Sequence, residues 1–259
     1  MAIAPRAARR GGLSLAPPLT ITGWLRYDVV ARLLSTLPSV DTIIEIGTGM
    51  GSVGARLARH HRYFGVEPDA RSFEVARRRI DETGNGTVIK GDVSCLPPTL
   101  RADVLCAFEV LEHIDDDEAA LRQWTTFLRP GGMLLISVPA WNRRFGASDA
   151  RVGHYRRYDR IPLLELLGRA GFQDVRILTY GFPLGYVLEA AWDVLARRRQ
   201  DAGSMADRTS QSGRWIQPPA WLGWAPQIVS LPFRLIQRPF TRTNLGTGFI
   251  ALARFTGDE

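Results

Sequence analysis

A chain of 259 residues can bury one good-sized core and still carry an elaboration. Its 45% apolar and 23% charged composition is that of an ordinary soluble globular protein and speaks against a disordered chain. The formal net charge of +7 is carried almost wholly by arginine, Lys90 being the only lysine, a balance that suits phosphate-bearing substrates or an anionic membrane surface and also accompanies a GC-rich coding sequence.

The first twenty residues hold arginines and prolines but no apolar stretch of signal-peptide type, and read as a disordered lead-in to a single domain over residues 21–259. Ile21 to Leu37 follows with Trp24, Leu25, Val29, Val30, Leu33 and Leu34 at helical spacing, closed by Pro38. Such a helix can lie beside a ligand mouth, where Trp24, Arg26 and Tyr27 would pack or touch a substrate. From Asp41 strand and helix alternate. Strands read at Thr42–Ile46, Tyr63–Val66, Thr87–Lys90, Asp103–Phe108, Met133–Val138 and Asp174–Tyr180, and helices at Gly51–His60, Ala70–Glu82, Asp116–Leu128 and Arg160–Ala170. This alternation predicts a parallel sheet with helices on both faces, its right-handed crossovers bringing every strand C-terminus to one edge. Asp69 reads as a helix N-cap, and Pro130-Gly131-Gly132 and Gly171 follow helix ends. Cys95 and Cys106 show no metal-ligand spacing and fit a reducing compartment, so no metal site is expected.

The turn after the first strand, Gly47-Thr48-Gly49-Met50-Gly51-Ser52-Val53-Gly54, builds a cofactor cradle: glycines let the backbone approach a ligand, and the next helix offers unpaired N–H donors. Gly49 to Gly54 satisfies the GxGxxG dinucleotide fingerprint, and Glu67 lies at the distance from which a carboxylate binds a ribose, which an NAD(P)-dependent oxidoreductase would use. Glu45 argues the other way. A carboxylate just before the turn sits badly beside a pyrophosphate and suits a cationic ligand.

The block Glu45-x-Gly47-x-Gly49-x-Gly51 resembles the first motif of class I S-adenosylmethionine-dependent methyltransferases, and later segments resemble the same family in order: Gly65-Val66-Glu67-Pro68-Asp69, Gly91-Asp92-Val93, Phe108-Glu109-Val110-Leu111-Glu112-His113-Ile114 and Leu128-Arg129-Pro130-Gly131-Gly132. The resemblance covers about Asp41 to Tyr180 and a last strand at Gly246–Phe255. It implies a Rossmann-like α/β fold with a seven-stranded, mostly parallel sheet, the last strand antiparallel and slipped between strands five and six. It implies S-adenosyl-L-methionine as cofactor, with Glu45, Gly47, Thr48, Gly49 and Gly51 at the methionine end, Glu67 and Pro68 at the ribose, Asp92 and Val93 at the adenine, and Glu109 and Val110 facing the methionine moiety. The family counterpart of His113 is structural.

Between strand five and the next helix, Pro139 to Asp159 leaves the sheet at the cofactor edge and is the natural acceptor wall, with Trp141, His154, Tyr155, Arg157 and Tyr158 as substrate-contact candidates. His154 can act as a general base toward a hydroxyl acceptor or anchor the loop, and Asp149 is a further candidate. An insertion over residues 181–245 precedes the last strand. Leu184 to Leu195 is helical, Gln200 to Gly213 reads as a polar linker, and Trp215, Trp221 and Trp224 lead into Ile228, Val229, Leu231, Phe233, Leu235 and Ile236, where Pro232 argues against one long helix. Such a segment suits a membrane surface or lipid-linked substrate, a lid over an apolar substrate, or an oligomer contact. No run is long enough to span a membrane. The expectation is a cytoplasmic biosynthetic methyltransferase, peripheral at most at the inner face of the membrane, making an O-methyl transfer to a small or lipid-linked acceptor. The alternatives are an NAD(P)-dependent oxidoreductase and a non-catalytic peripheral membrane module. Nucleic acid is disfavoured, because Glu109 and Val110 stand where a target-base motif such as Asn-Pro-Pro-Tyr would be.

Overall fold

A computed structural model describes residues 17–198 and 224–257. Seven strands form one sheet in the order β3-β2-β1-β4-β5-β7-β6. They are β1 (Thr42–Ile46), β2 (Arg62–Glu67), β3 (Gly86–Lys90), β4 (Ala102–Phe108), β5 (Leu128–Pro139), β6 (Phe172–Tyr180) and β7 (Gly248–Phe255). The last strand runs antiparallel to both β5 and β6 and lies between them, as expected. Inner strands β1 and β4 are buried at every residue, which is why they appear in the sequence as unbroken apolar runs.

The period of two along each strand divides the core. Ile44, Leu105, Leu134 and Ala251 face one side, under α4 (Asp117–Thr125) and α6 (Arg160–Arg169). Ile43, Val104, Leu135 and Ile250 face the other, with Leu25, Val29 and Leu33 of α1 (Ile21–Leu34) and Ala76 and Ile80 of α3 (Ala70–Asp81). Side-chain caps fix three helix starts: Thr20, Asp69 and Asp116 accept from the backbone N–H of Gly23, Ser72 and Ala119.

Four expectations change. The disordered lead-in does not extend to residue 20: Leu19 is buried, Thr20 caps α1, and the Pro17 carbonyl accepts from Arg56, while residues 1–16 lie outside the described ones. The helix expected over Gly51–His60 shrinks to α2 (Gly54–Leu57), because Gly47, Gly49 and Gly51 all adopt positive φ and keep the chain in tight turns. A short helix, α5 (Ala147–Val152), appears inside the acceptor loop and ends on Gly153 at φ 82°. Lastly, Pro232 does not break its helix, and α8 (Trp224–Gln237) runs through it. Proline forfeits its N–H bond to the Ile228 carbonyl, but Ile228 is on the exposed side, and tertiary bonds hold the helix: Gln237 donates to the Leu25 carbonyl at 2.9 Å and accepts from Gly181 N–H at 3.0 Å. The first helix of the insertion, α7 (Leu184–Arg198), forms as expected; the polar linker, Trp215 and Trp221 lie outside the described residues.

Candidate active site

Strand order reverses between β1 and β4, so their C-terminal ends open the crevice where ligands bind in such sheets. The turns after the two strands meet there. A Cβ on Gly47, which sits at φ 68°, would fall 2.6 Å from Val110 Cγ2, so glycine is what lets the two loops close on each other. Gly49, also at positive φ, has no protein atom within 4 Å of where its Cβ would be. Its N–H donates to Glu67 Oε2 at 2.7 Å, and the Asp69 N–H donates to Oε1 at 2.9 Å. Burial pushes the Glu67 carboxyl up and these two donors pull it down. Pro68 beside it is exposed. Asp92 is exposed and ionised, its Oδ1 accepting from the N–H and hydroxyl of Ser94 at 2.9 and 2.5 Å, which hold it below the usual carboxylate range, and Val93 is buried next to it.

Glu45 lies on the α1 face of β1, 2% exposed, and accepts the Tyr63 hydroxyl at 2.6 Å, while that hydroxyl and the Thr48 Oγ1 stand 3.0 Å apart. Burial raises the carboxyl to about 8 against the lowering effects of Tyr63 and Arg26. This carboxylate therefore supports the turn from below. Glu109, at φ 57°, is held at the end of β4 by the Ser137 and Tyr180 hydroxyls at 2.8 and 3.1 Å, with Arg26 at 3.4 Å. Arg26 and Tyr180 thus belong to this mouth. Trp24 instead packs between the guanidinium groups of Arg56 and Arg234.

The acceptor loop is stitched shut at its base, where Trp141 N–H donates to the Tyr158 carbonyl and Tyr158 N–H to the Pro139 carbonyl. Trp141 sits at φ 69°, packs edge-on against Phe249 and donates its indole N–H to the Gly246 carbonyl. Tyr158 is buried, its hydroxyl on Asp117 at 2.9 Å, and Arg157 is buried between Asp149 and Glu189 of α7. Both are committed to protein partners. Tyr155 is exposed, its backbone tied to the Glu112 carbonyl. His154 Nδ1 stands 2.8 Å from Asp149 Oδ1, and Asp149 is itself gripped by Arg157 and the Gly146 N–H.

Inside this wall lies Glu112, which the sequence marks only as part of the Phe108–Ile114 segment. It is fully buried, and among the described residues neither carboxylate oxygen has a hydrogen-bond partner. Burial pushes its pKa well up, and the charge of Glu109 adds to the shift. His113, its Nδ1 at 3.2 Å from the Gly153 carbonyl, is pushed down to about 4 by burial and by His154, whose ring it meets edge-on at 4.6 Å. Only the adjacency of Glu112 and His113 signalled this cluster in sequence. Its third member comes from another loop.

A family model for a methyltransferase domain matches residues 23–177. A Mycolicibacterium smegmatis protein described as a probable S-adenosylmethionine-dependent methyltransferase is 29% identical over 181 residues, 65% of this chain and 69% of its own length. An uncharacterized methyltransferase of Mycobacterium sp. (strain JLS) is 29% identical over 130 residues, and the chain spans 50% of that relative's length against 49% of its own. Among solved structures, a methyltransferase of Thermotoga maritima described as a possible histamine N-methyltransferase aligns over 90% of this chain and 91% of its own, at 18% identity and TM-score 0.54. The N-methyltransferase NodS from Bradyrhizobium japonicum WM9, solved with S-adenosyl-l-homocysteine, aligns over 89% and 85% at 15% identity and TM-score 0.54. These two likenesses carry the fold, and the family model spans more than half of the sequence. The chain belongs to the class I S-adenosylmethionine-dependent methyltransferases, and S-adenosylmethionine is its cofactor.

Proposed function

We propose that the chain moves the methyl group of S-adenosylmethionine to a hydroxyl oxygen on a small or lipid-linked acceptor, such as a sugar or secondary-metabolite precursor. The observation that carries this reading is the His154–Asp149 pair, an imidazole held at 2.8 Å by a buried carboxylate in the loop that leaves the sheet at the cofactor edge. Two features support the cofactor's seat. The space over Gly49 is open, and Glu67, fixed by two backbone donors, keeps lone pairs for the ribose hydroxyls. On this reading Glu67 and Pro68 hold the ribose, and Asp92 and the Val93 N–H hold the adenine. Gly47, Thr48, Gly49 and Gly51, with Glu45 beneath them, seat the methionine end, and Glu109 and Val110 close over it.

When bound, the cofactor supplies a methyl group on a sulfonium, an electrophile open to in-line displacement. The chain has to hold the acceptor oxygen in line, exclude water, and find a place for the hydroxyl proton as the C–O bond forms and the C–S bond breaks. With its Nδ1–H given to Asp149, His154 carries its lone pair on Nε2, where such a proton can go. Trp141 and Tyr155 offer contacts to the acceptor, and Arg157 and Tyr158 hold the loop that presents them. The exposed apolar faces of α7 and α8 favour a hydrophobic or lipid-linked acceptor and a cytoplasmic protein peripheral to the membrane.

Isothermal titration with S-adenosylhomocysteine, run beside NADH on wild type, Glu67→Ala and Asp92→Ala, tests the cofactor seat. Binding of the homocysteine product alone, weakened ~10-fold or more by both substitutions, is expected; binding of NADH in its place sinks the assignment. Labelled-methyl transfer to hydroxyl and amine acceptor panels then tests the chemistry, and transfer confined to amines overturns the O-methyl reading.

A further inference from the structure

We propose that Glu112, His113 and His154 form a site for one divalent first-row transition-metal ion, set between the cofactor crevice and the acceptor loop. The ion's role in methyl transfer rests on the function proposed above, but its binding does not. One carboxylate oxygen and one nitrogen from each imidazole lie within 4.8 Å of one another. His154 Nε2 is 3.8 Å from Glu112 Oε1. Two ligands of one ion, each about 2.1 Å from it, stand roughly 3 to 4 Å apart, so that pair is already at bonding span and the widest pair closes by about an ångström.

Two independent observations point to a ligand. The first is Glu112, a fully buried carboxylate whose two oxygens are both without a hydrogen-bond partner among the described residues. Buried carboxylates are normally paired, hydrogen-bonded or metal-bound; among the described residues Glu112 has no hydrogen bond, and its one charge contact within 4 Å is His154, a member of the same cluster. The second is the support behind the imidazoles. His154 has its Nδ1 on Asp149 and His113 has its Nδ1 on the Gly153 carbonyl, so each ring's lone pair belongs to Nε2, and Arg157 and the Gly146 N–H fix Asp149 in turn. An imidazole steadied through its other nitrogen by a carboxylate or carbonyl is the usual arrangement around protein-bound metals.

The donor set chooses the ion. Two imidazoles and one carboxylate suit Mn²⁺, Fe²⁺, Co²⁺ or Zn²⁺ better than Mg²⁺ or Ca²⁺, which prefer oxygen alone. Three protein ligands leave coordination positions unfilled, and an acceptor hydroxyl bound at one of them would be oriented by the ion and lose its proton more easily. Nε2 of His154 cannot ligate and accept a proton together. With the ion present, His154 is a ligand, and the hydroxyl proton leaves to solvent.

The test uses the whole chain, stripped with a chelator and titrated with Co²⁺ and Mn²⁺, with S-adenosylhomocysteine titrated in parallel. One ion per chain is expected, with Co²⁺ visible bands of a nitrogen and oxygen set and no thiolate charge transfer. Glu112→Gln and His154→Gln are expected to weaken ion binding by ~10- to 100-fold while S-adenosylhomocysteine still binds, and His61→Ala, remote from the cluster, to leave both unchanged. Wild-type protein that binds S-adenosylhomocysteine but takes up no ion, or variants that bind the ion as wild type does, overturns the site and leaves the methyltransferase reading standing. Should a variant lose its circular dichroism, the wild-type Co²⁺ spectrum decides alone: a spectrum like that of the hydrated ion overturns the proposal.

Discussion

Gly49 and Gly51 share one turn and positive φ, yet answer to different constraints. A Cβ on Gly51 would lie 2.9 Å from the Cα of Ala76 in α3, so a methyl there drives helix and turn apart. A Cβ on Gly49 meets nothing, so Gly49→Ala carries only the left-handed backbone penalty, about 1–2 kcal/mol. Gly51→Ala adds an overpacking cost of about 1–3 kcal/mol to that penalty. Urea unfolding should rank Gly51→Ala as the less stable, while titration with S-adenosylhomocysteine should show Gly49→Ala losing affinity out of proportion to its stability, because its methyl occupies the crevice. The reverse ranking would mean that the space over Gly49 is not the cofactor seat. Glu45 gives a pH signature. Its carboxyl titrates at about 8 in the folded chain against 4.5 as the ordinary value. Below 4.5 it is protonated in both states. Between 4.5 and about 8 the folded chain keeps a proton that the unfolded chain has released, so stability falls as pH rises, by about 1.4 kcal/mol per pH unit from this group. Glu45→Gln keeps an acceptor for Tyr63 and removes the titration. Unfolding measured from pH 5 to 7.5 should then slope less steeply than in wild type, with Glu67 and Glu112 leaving a remainder. An unchanged slope would show that Glu45 ionises normally.

Among the elements, α8 is seated by Phe233 on the α1-side core, by Arg234 on Trp24 and by the hydrogen bonds of one buried side chain. Gln237 is 1% exposed and ties the helix to α1 and to the end of β6 through the Leu25 carbonyl and the Gly181 N–H. Gln237→Leu keeps the bulk, leaves the Gly181 N–H buried without its acceptor and takes from the Leu25 carbonyl its second donor beside the α1 helical bond, a loss of about 1–3 kcal/mol that a urea midpoint would register. A variant of wild-type stability would show that α8 is held by its apolar contacts alone. No sequence pattern announces that role, because the partners of Gln237 are 212 and 56 residues away. The same distinction separates what could be read along the chain from what could not. The strands emerged within a few residues at most ends because buried parallel strands are apolar runs bounded by turn formers, and the cofactor turns emerged because glycine at positive φ leaves a local mark. The six residues of α5 are too few for a helical period, though Gly153 marks their end. Arg157 read as a substrate contact because its partners, Asp149 and Glu189, come together only when α7 folds against the loop. Glu112 is silent in the sequence for the same reason, since burial of a carboxylate without a hydrogen bond is a property of three dimensions.

Across the described residues, the insertion is tied to the catalytic domain by α7, by α8 and by the segment after α8, where Thr241 accepts from the Thr179 N–H and Thr243 from Arg160. Glu189 and Asp193 of α7 hold the acceptor loop through Arg144, Arg157 and the Ser148 N–H, and Gln237 of α8 holds α1. Away from those contacts Val187, Val194, Trp224, Ile228, Leu231 and Leu235 are more than half exposed. An apolar surface of this kind, on a chain of net charge +7, suits the boundary of an anionic bilayer, where apolar side chains enter the interface and arginines meet the headgroups. No helix among the described residues is long and apolar enough to cross a membrane. The arithmetic of such binding is additive in small terms, about 1 kcal/mol for each basic residue near the surface, and is screened over a Debye length of about 10 Å at 0.1 M salt. Sedimentation with phosphatidylglycerol vesicles should therefore carry the protein down, neutral phosphatidylcholine vesicles should carry less, and raising the salt severalfold should release a large part. Replacing Ile228 and Leu235 together by Asp alters two side chains that no core contact holds, so S-adenosylhomocysteine binding should persist while vesicle binding is lost. If vesicles of neither kind bind, and the double variant instead changes the oligomeric state by size-exclusion chromatography, the apolar face is a contact between copies of the chain and the case for a lipid-linked acceptor loses its support.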